Sequence, residues 1–338
     1  MNYLRHTFFF FFFILLGISG YSQEIIVNPA NENQLEIIDS DYSSLEAVNS
    51  IEKIKAYPVL TKKGQFTRIF LPKHSKSLAT GLPELPVNRE LIEIPASAIP
   101  KIKIIDATYT EIDLGLLGLN DKLYPHQPPR IKSQDEHDFE FNETAYKNDI
   151  FYKEELVSID ILGYLRSVRV ARLNIAPVQY NPVTNTLKVY DKVHFEILFD
   201  GADIQKTLEL KKKYASPFFE SIYKTLPNHF EGPSRENFTR YPVKYVIISD
   251  RMFEDQLQPL IEWKTKKGFT VVEAYTDQPE VGTTTSSIKS YIQNLYNAGT
   301  PDDPAPSFIL FCGDVQQIPA WDNGNGATDR NYCEFTGD

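Results

Sequence analysis

The most reactive side chains in this sequence are thiols and imidazoles, and they are few and far apart. The chain contains two cysteines, Cys312 and Cys333, and the last of its six histidines is His229. Cysteine catalysis needs a thiolate with an imidazole within hydrogen-bond reach. Cys312 ends an apolar run and is predicted to be a small buried hydrophobe. Cys333 lies beside acidic residues that disfavour a thiolate, so neither cysteine is predicted to be a nucleophile.

Asp314 occupies a position where function is expected. It follows the apolar run Phe308–Cys312, which is bounded by Pro306 and Gly313. Such a run is typical of a strand buried on both faces of a parallel sheet. Ligands of open α/β sheets bind just beyond the carboxyl ends of the strands, which is where Asp314 would lie. The alternative role of this carboxylate is to cap the turn that follows the strand.

Three other polar clusters carry weaker signals. Residues 322–326 look like a fragment of a calcium loop but lack its distal glutamate, so a flexible turn is predicted. Residues 135–138 could hold a metal ion, but clustered polar residues in a loop are usually only solvated. The three consecutive lysines 211–213 are interpreted as a solvated face. With two cysteines in the chain, a disulfide framework and a cysteine-rich zinc site are both excluded.

The composition indicates a globular protein that does not act on nucleic acid. The chain has 338 residues, which is sufficient for two domains. Apolar residues make up 42% and charged residues 24%, so a packed core is expected and wholesale disorder is not. The net charge is −10 and there is no long basic stretch, which argues against nucleic acid as the main partner.

The N-terminus has the pattern of a secretory signal peptide. Arg5 and His6 precede an apolar run from Phe8 to Leu16, which is about half the ~20 residues that a membrane helix needs. A small-x-small pattern at 20–22 predicts cleavage after Ser22, so residues 1–22 would be removed. The alternative is an uncleaved membrane anchor. The mature protein is therefore expected to be secreted or at the cell surface.

Residues 23–230 show the short alternating pattern of a β-rich domain. A turn at 181–185 predicts a hairpin, and Pro-rich punctuation separates the strands. No helix of four turns is apparent before Lys211. This pattern predicts a β-sandwich or jelly-roll-like domain, with a polar, Pro-rich protruding loop at 124–138. The strand candidates outside the hairpin are 66–71, 91–94, 101–112 and 168–175.

After a linker at 231–242 the pattern changes to alternating strands and helices. A strand at 243–249 precedes a helix in which Pro259 is expected in the first turn and Gly268 at the end. A second strand follows at 269–274, then a helix capped near Thr285, then the strand Phe308–Cys312. This β-α-β-α-β order predicts that residues 243–338 form the first half of an α/β/α parallel-sheet domain.

Several of these segments resemble gingipain-family cysteine peptidases. The helix Glu262-Trp-Lys-Thr-Lys-Lys-Gly268 and the turn Gly313-Asp-Val-Gln-Gln-Ile-Pro319 match the start of the family's catalytic domain. Upstream, 81–87 and 178–190 are similar to the family's propeptide. The resemblance covers most of the mature chain. It implies a secreted zymogen with a signal peptide, a β-rich inhibitory prodomain and a caspase-like α/β/α domain, exported by Bacteroidetes-type bacteria.

The resemblance also implies ligands, processing sites and partners. In gingipain-like domains the aspartate matching Asp314 helps to bind a structural calcium, and the region that includes Asp338 contributes to another. Arg240 resembles a zymogen processing point, and Arg235 is an equal candidate. The implied partners are peptide or protein substrates, the bacterial secretion machinery, and the prodomain itself lying against the catalytic domain. No nucleic-acid partner is implied.

One departure from the family pattern limits what this chain is expected to do. The family's catalytic histidine lies in a Gly-His-Gly motif and its nucleophilic cysteine further on, and this sequence has no such motif. We expect the Cys–His dyad to lie beyond Asp338 and the chain to be an inactive, truncated precursor. Two alternatives remain open. One is a non-enzymatic secreted β-sandwich for binding or assembly, with a vestigial α/β tail, and the other is a sortase-like member of the family.

Overall fold

The computed structural model describes residues 22–129, 138–231, 242–322, 324 and 326–335. Residues 22–231 within these ranges are called the β-rich unit here, and residues 242–335 the α/β unit. None of the helices in these ranges is long and apolar enough to cross a membrane.

Some strands of the β-rich unit alternate buried and less buried side chains, most clearly those at 44–50 and 186–200. The strands at 168–175 and 178–181 are instead buried along nearly their whole length. Two short helices, α1 (Ile204–Tyr214) and α2 (Pro217–Tyr223), close the unit. The strands are β1 (Gln23–Ile26), β2 (Gln34–Ser40), β3 (Ser44–Ser50), β4 (Lys53–Thr61), β5 (Gly64–Phe70), β6 (Ser75–Lys76), β7 (Pro86–Glu93), β8 (Ile99–Asp113), β9 (Val157–Leu165), β10 (Val168–Ile175), β11 (Val178–Asn181) and β12 (Thr186–Asp200).

These strands form three antiparallel sheets. Their orders are β1-β4-β5, β6-β7-β10-β9 and β11-β12-β3-β2, with β8 paired along β12. Ile92 and Leu173 from the second sheet pack against Leu45 and Phe195 from the third, which makes a sandwich core. A separate core lies between the first sheet and the β11–β12 hairpin. The prediction of a β-rich domain of packed antiparallel sheets, with a hairpin at 178–199, is confirmed.

The elements of the α/β unit are β13 (Val243–Ser249), α3 (Glu254–Lys266), β14 (Phe269–Tyr275), α4 (Thr285–Asn297), β15 (Phe308–Cys312), β16 (Trp321–Asp322) and β17 (Ala327–Thr328). Three of the strands form a parallel sheet in the order β14-β13-β15, and β16 pairs with β17 antiparallel after it. The core is formed by apolar residues of this unit, among them Val246 and Ile248 of the central strand and Ile288 and Ile292 of α4.

The details of α3, α4 and β15 differ from the expectations. Helix α3 begins at Glu254, so Pro259 lies in its second turn and not in its first; a 3₁₀ turn and the Asp250 side chain, which accepts from the N–H of Met252, start the helix early. The cap of α4 is Thr284 rather than Thr285. All five residues of β15 are half-buried because β15 is an edge strand among the described residues. The predicted boundaries at 230 and 243 stay predictions, since 232–241 lie outside the described ranges.

Candidate functional site

The carboxyl ends of the three parallel strands lie side by side. Ser249 pairs in register with Tyr275 on one side and with Cys312 on the other. The Ser249 hydroxyl donates to the carbonyl of Asp250 at 2.9 Å and lies 3.4 Å from the carbonyl of Cys312. This edge is therefore ordered by main-chain contacts, and the loops that leave it carry the polar side chains of the candidate site.

Asp314 lies in the loop that leaves β15, as the sequence predicts. Gly313 turns the chain with φ of 142°, and a Cβ there would come within 2.7 Å of Gln317 Cβ. One Asp314 carboxylate oxygen accepts from the N–H of Val315 at 2.7 Å. The Asp314 carbonyl accepts from the N–H groups of Gln317 and Ile318 at 2.9 and 2.8 Å. Asp314 thus caps its own turn, and among the described residues only one of its two exposed carboxylate oxygens has a hydrogen-bond partner.

The neighbouring acids at this edge already have partners. Asp250 accepts from the N–H of Met252 at 2.8 Å. Asp277 receives two hydrogen bonds of 3.0 Å from Arg251, and that guanidinium holds the Asp277 pKa below its usual range. No group of three His, Cys, Asp or Glu side chains among the described residues could hold a metal ion. Calcium also accepts main-chain carbonyl, amide and water oxygens as ligands, and Asp338 lies outside the described residues; the calcium assignment of Asp314 and Asp338 therefore stays a prediction.

Strands β16 and β17 pair antiparallel, and the described residues between them are Gly324 and Gly326. The Asp322 carboxylate accepts from the N–H of Gly324 at 2.8 Å, which is a side-chain-to-backbone turn bond. The interpretation of this segment as a turn is confirmed for its described residues. The 135–138 cluster lies outside the described ranges except for Asp138.

Neither cysteine has the environment of a nucleophile at neutral pH. Cys312 is half-buried rather than buried, because β15 is an edge strand, and burial raises the pKa of its thiol. Cys333 as a whole is exposed, but its thiol is partly buried. This burial is the main cause that raises the pKa of the thiol, and the nearby carboxylates of Asp329 and Glu334 raise it further. A raised pKa reduces the thiolate fraction below that of an ordinary cysteine.

The described histidines all belong to the β-rich unit and have partners there. His74 contacts the carbonyl of Pro72, His126 lies 3.5 Å from Glu84, and His194 contacts Glu46 at 2.6 Å. His229 contacts Glu93 at 2.7 Å. The described chain therefore brings no imidazole to the carboxyl edge of the parallel sheet.

The predicted processing residues are only partly described. Ser22 is exposed and directly precedes β1, whereas Arg235 and Arg240 lie outside the described ranges. Of the loop at 124–138, residues 130–137 lie outside them as well. Its base is fixed to the β-rich unit, because the N–H of Glu84 donates to the carbonyl of Tyr124 and the N–H of His126 donates to that of Leu82. Signal cleavage and processing after arginine stay predictions.

The interpretation of lysines 211–213 as a solvated face is wrong for Lys211. Its ammonium is buried and lies 2.6 Å from Glu93, whose carboxylate is fully buried and also contacts His229. Three consecutive residues span more than half the circumference of a helix, so one lysine of the three must face inward. The buried Thr207, four residues earlier on α1, marks that inward face.

Comparison with known proteins identifies both units. The family model Propeptide_C25 matches residues 26–226, and the model Peptidase family C25 matches residues 238–338. Lys-gingipain HG66 of Porphyromonas gingivalis is 34% identical over 330 residues, which are 96% of this chain and 19% of the relative. Gingipain R2 of the same organism is 22% identical over 316 residues, covering 90% of this chain and 40% of the relative. The chain thus spans about a fifth of the length of the first of these relatives.

A solved structure is also similar to this chain. It comes from a study described as structural insight into zymogenic latency of gingipain K from Porphyromonas gingivalis. It is 33% identical, has a TM-score of 0.51, and covers 54% of this chain and 100% of its own.

Proposed function

Because the chain belongs to the gingipain family and carries a C25 propeptide followed by the start of a C25 catalytic domain, we propose that it is part of a secreted zymogen of a cysteine endopeptidase. In this proposal residues 23–230 inhibit the peptidase and assist its folding. The observation that carries the proposal is the match of the two family models to consecutive segments of one chain, residues 26–226 and 238–338. The similarity to the gingipain K structure, whose description concerns zymogenic latency, supports the same function.

The proposed reaction is hydrolysis of a peptide bond by a Cys–His dyad. The imidazole takes the proton of the thiol, and the thiolate attacks the carbonyl carbon of the peptide. The C–N bond then breaks as the imidazolium protonates the departing amine, and water hydrolyses the resulting acyl-enzyme to the carboxylic acid and the free thiol. The described residues contain no such pair, so we place both groups after Asp338, where the Gly-His-Gly motif of the family would follow. Cys312 and Cys333 have no role in this reaction.

The β-rich unit lies against the α/β unit. The β9–β10 hairpin and α2 contact the start of β15 and the end of α4, which places this contact at the amino ends of the parallel strands. We propose that a segment such as 124–138 reaches from the β-rich unit to the substrate cleft of the complete catalytic domain and covers it. The base of that segment is fixed by hydrogen bonds to residues 82–84, which would present it as a preformed inhibitor.

The first test is the reading frame after codon 338. A frame that encodes Gly-His-Gly and a later cysteine supports the zymogen, whereas a stop codon favours the non-enzymatic alternative. The second test uses the mature peptidase from that frame with a mixed peptide-library substrate. Residues 23–230 added in trans should suppress hydrolysis in a concentration-dependent way. The same titration with a heat-denatured sample is the control, and hydrolysis that is unaffected by the folded unit would contradict an inhibitory prodomain.

We also propose export through the signal peptide 1–22, with delivery by the bacterial secretion machinery to the cell surface or medium. Support comes from the short apolar run and the small residues before Gln23. Mass spectrometry of the protein from its native host should find a mature N-terminus at Gln23. A protein that retains Met1 to Ser22 would show that the segment is an uncleaved anchor.

A further inference from the structure

The tip of the β9–β10 hairpin touches both units of the chain. Arg166 is the first of the two residues between β9 and β10. Its guanidinium donates to the carbonyl of Tyr214 at 2.6 Å, within the β-rich unit. It also donates to the carbonyls of Pro306 at 2.6 Å and Ala305 at 2.9 Å, both in the α/β unit. One side chain thus bridges three main-chain acceptors on two different units.

The acceptors in the α/β unit are buried. Ala305 is fully buried, and Pro306, two residues before the start of β15, is buried too. The segment that follows α4 packs closely against Ala305, since a Cβ on Gly299 would come within 2.5 Å of the Ala305 nitrogen. A buried carbonyl that loses its donor costs the free energy of its desolvation. The Arg166 guanidinium therefore supplies hydrogen-bond donors to the carbonyls of Ala305 and Pro306.

Aromatic contacts surround this arginine on both sides. Tyr214 stacks on Tyr296 with ring centroids 4.7 Å apart, and the Tyr296 hydroxyl donates to the Arg166 carbonyl at 3.4 Å. Phe218 of α2 lies 5.0 Å from Phe308 and 5.9 Å from Phe269, at the amino ends of β15 and β14. These rings add aromatic contacts between the two units next to the polar contact, and aromatic residues and arginine are the residue types enriched in protein–protein hot spots.

The backbone of Arg166 is in a conformation that favours glycine. Its φ is 58°, in the left-handed region that bulky residues seldom adopt. A glycine in this turn would relieve the strain and would serve the hairpin better. The hairpin therefore gains nothing locally from an arginine here, whereas the contact between the units depends on its side chain.

We infer that Arg166, with Tyr214 and Phe218 around it, is a latch that keeps the β-rich unit bound to the α/β unit after the linker between them is cut. The partner that this surface fits is the catalytic domain itself. The latch lies at the amino ends of the parallel strands, opposite to the carboxyl edge where Ser249 and Cys312 end. It can therefore hold the β-rich unit without occupying that edge. This inference rests on the proposed function for its biological meaning.

The test uses the full chain with a protease recognition sequence inserted at 232–240 and an affinity tag on the β-rich unit. After cutting, the fraction of the α/β unit retained on the resin is measured against protein concentration. We expect the wild-type units to stay together and Arg166→Gly to weaken retention by about tenfold or more, as loss of charged hydrogen bonds would require. Arg166→Lys should restore it only partly, because an ammonium cannot span all three carbonyls.

Arg172→Ala is the matched control. Arg172 lies on the same hairpin and pairs with Asp160 at 2.8 Å on an exposed surface away from the junction. Retention in this variant should equal that of the wild type. Far-UV circular dichroism should show that Arg166→Gly leaves the β-rich unit folded, since within that unit the variant removes only the side-chain hydrogen bond to the Tyr214 carbonyl. Separation of the wild-type units on cutting, or full retention in Arg166→Gly, would overturn the latch. Either result would leave the peptidase assignment intact, because the hydrolysis assay tests that separately.

Discussion

At the scale of single residues, Glu93 places a negative charge in the interior of the β-rich unit. Its carboxylate is neutralised by Lys211 at 2.6 Å and accepts from the N–H of Phe230 at 3.1 Å. The backbone N–H of Glu93 donates to the side-chain oxygen of Asn228 at 2.8 Å, and the side-chain amide of Asn228 donates to the backbone carbonyl of Glu93 at 2.9 Å. Strand β7 is thereby joined to the last described turn before the linker, and removal of one charge would leave its partner buried and unpaired.

We therefore predict that Glu93→Gln lowers the free energy of unfolding of the β-rich unit by about 3 kcal/mol, because Lys211 would stay buried without a counter-charge. Urea unfolding followed by far-UV circular dichroism measures the change. The double variant Glu93→Gln/Lys211→Met should recover part of the loss, since it removes the orphaned ammonium. The exposed ion pair of Asp160 with Arg172 provides the matched control, because Asp160→Asn should lower the free energy of unfolding by less than about 1 kcal/mol. Equal losses in Glu93→Gln and Asp160→Asn would contradict a special role for the buried pair.

The thiols give a second prediction at this scale. Burial and two nearby carboxylates raise the pKa of Cys333. Its thiolate fraction at pH 7 to 8 therefore lies below that of a free cysteine, and this fraction increases as the pH rises toward the pKa. Alkylation of the Cys312→Ser variant by iodoacetamide should therefore be slower than that of a cysteine peptide at pH 8 and should accelerate above pH 9. Fast alkylation at pH 7 would instead indicate an activated nucleophile.

At the scale of elements, the turn after β15 depends on a glycine. The φ of Gly313 is 142°, and a methyl group there would contact the Gln317 side chain that bonds the Asp314 N–H at 2.9 Å. The turn also leads into Ile318, which is packed in the core of the α/β unit. Displacement of this turn would consequently loosen the core and move Asp314.

We predict that Gly313→Ala destabilises the α/β unit by about 2 kcal/mol, from backbone strain plus the steric clash. Both tryptophans of the chain, Trp263 and Trp321, lie in this unit, so tryptophan fluorescence reports its unfolding selectively. Gly268→Ala is the control, because Gly268 also has a positive φ of 91° but open space around a Cβ. A loss in Gly313→Ala no larger than that in Gly268→Ala would show that the clash is relieved by local adjustment.

The sequence predicted elements well where a single periodic pattern decides them. The alternation at 101–112 and the turn at 181–185 led directly to β8 and to the β11–β12 hairpin. The position of Asp314 followed from the apolar run before it. The burial of Lys211 was missed because its partner Glu93 is far away in the chain, and no local pattern contains that contact. Arg166 was missed for the same reason, since its acceptors lie in the other unit.

At the scale of the whole molecule, the two units have separate cores. The clusters around Tyr180 and Phe195 contain only residues of the β-rich unit, and that around Val246 only residues of the α/β unit. The contact between the units consists of the hairpin tip, α2 and the aromatic rings near β15. Each core should therefore unfold as its own cooperative block, with the junction coupling the two.

We predict that residues 23–230 fold alone, because the three hydrophobic clusters of the β-rich unit contain only residues of that unit. Urea titration by far-UV circular dichroism should show one cooperative transition. Glu93→Gln should lower the midpoint of the isolated unit by as much as it does in the full chain. A broad, non-cooperative transition would show that the β-rich unit needs the α/β unit to reach its native structure.

The latch recognises its partner through carbonyl oxygens. Every residue supplies such an oxygen, so replacement of Pro306 or Tyr214 during evolution would preserve the acceptors as long as the local chain path persisted. Pairwise covariation between position 166 and these positions is accordingly expected to be weak, even though the contact is direct. A prodomain that binds main-chain carbonyls can stay bound while the side chains of the peptidase domain change during evolution. Searches for covarying positions would therefore overlook Arg166, although it joins the two units directly.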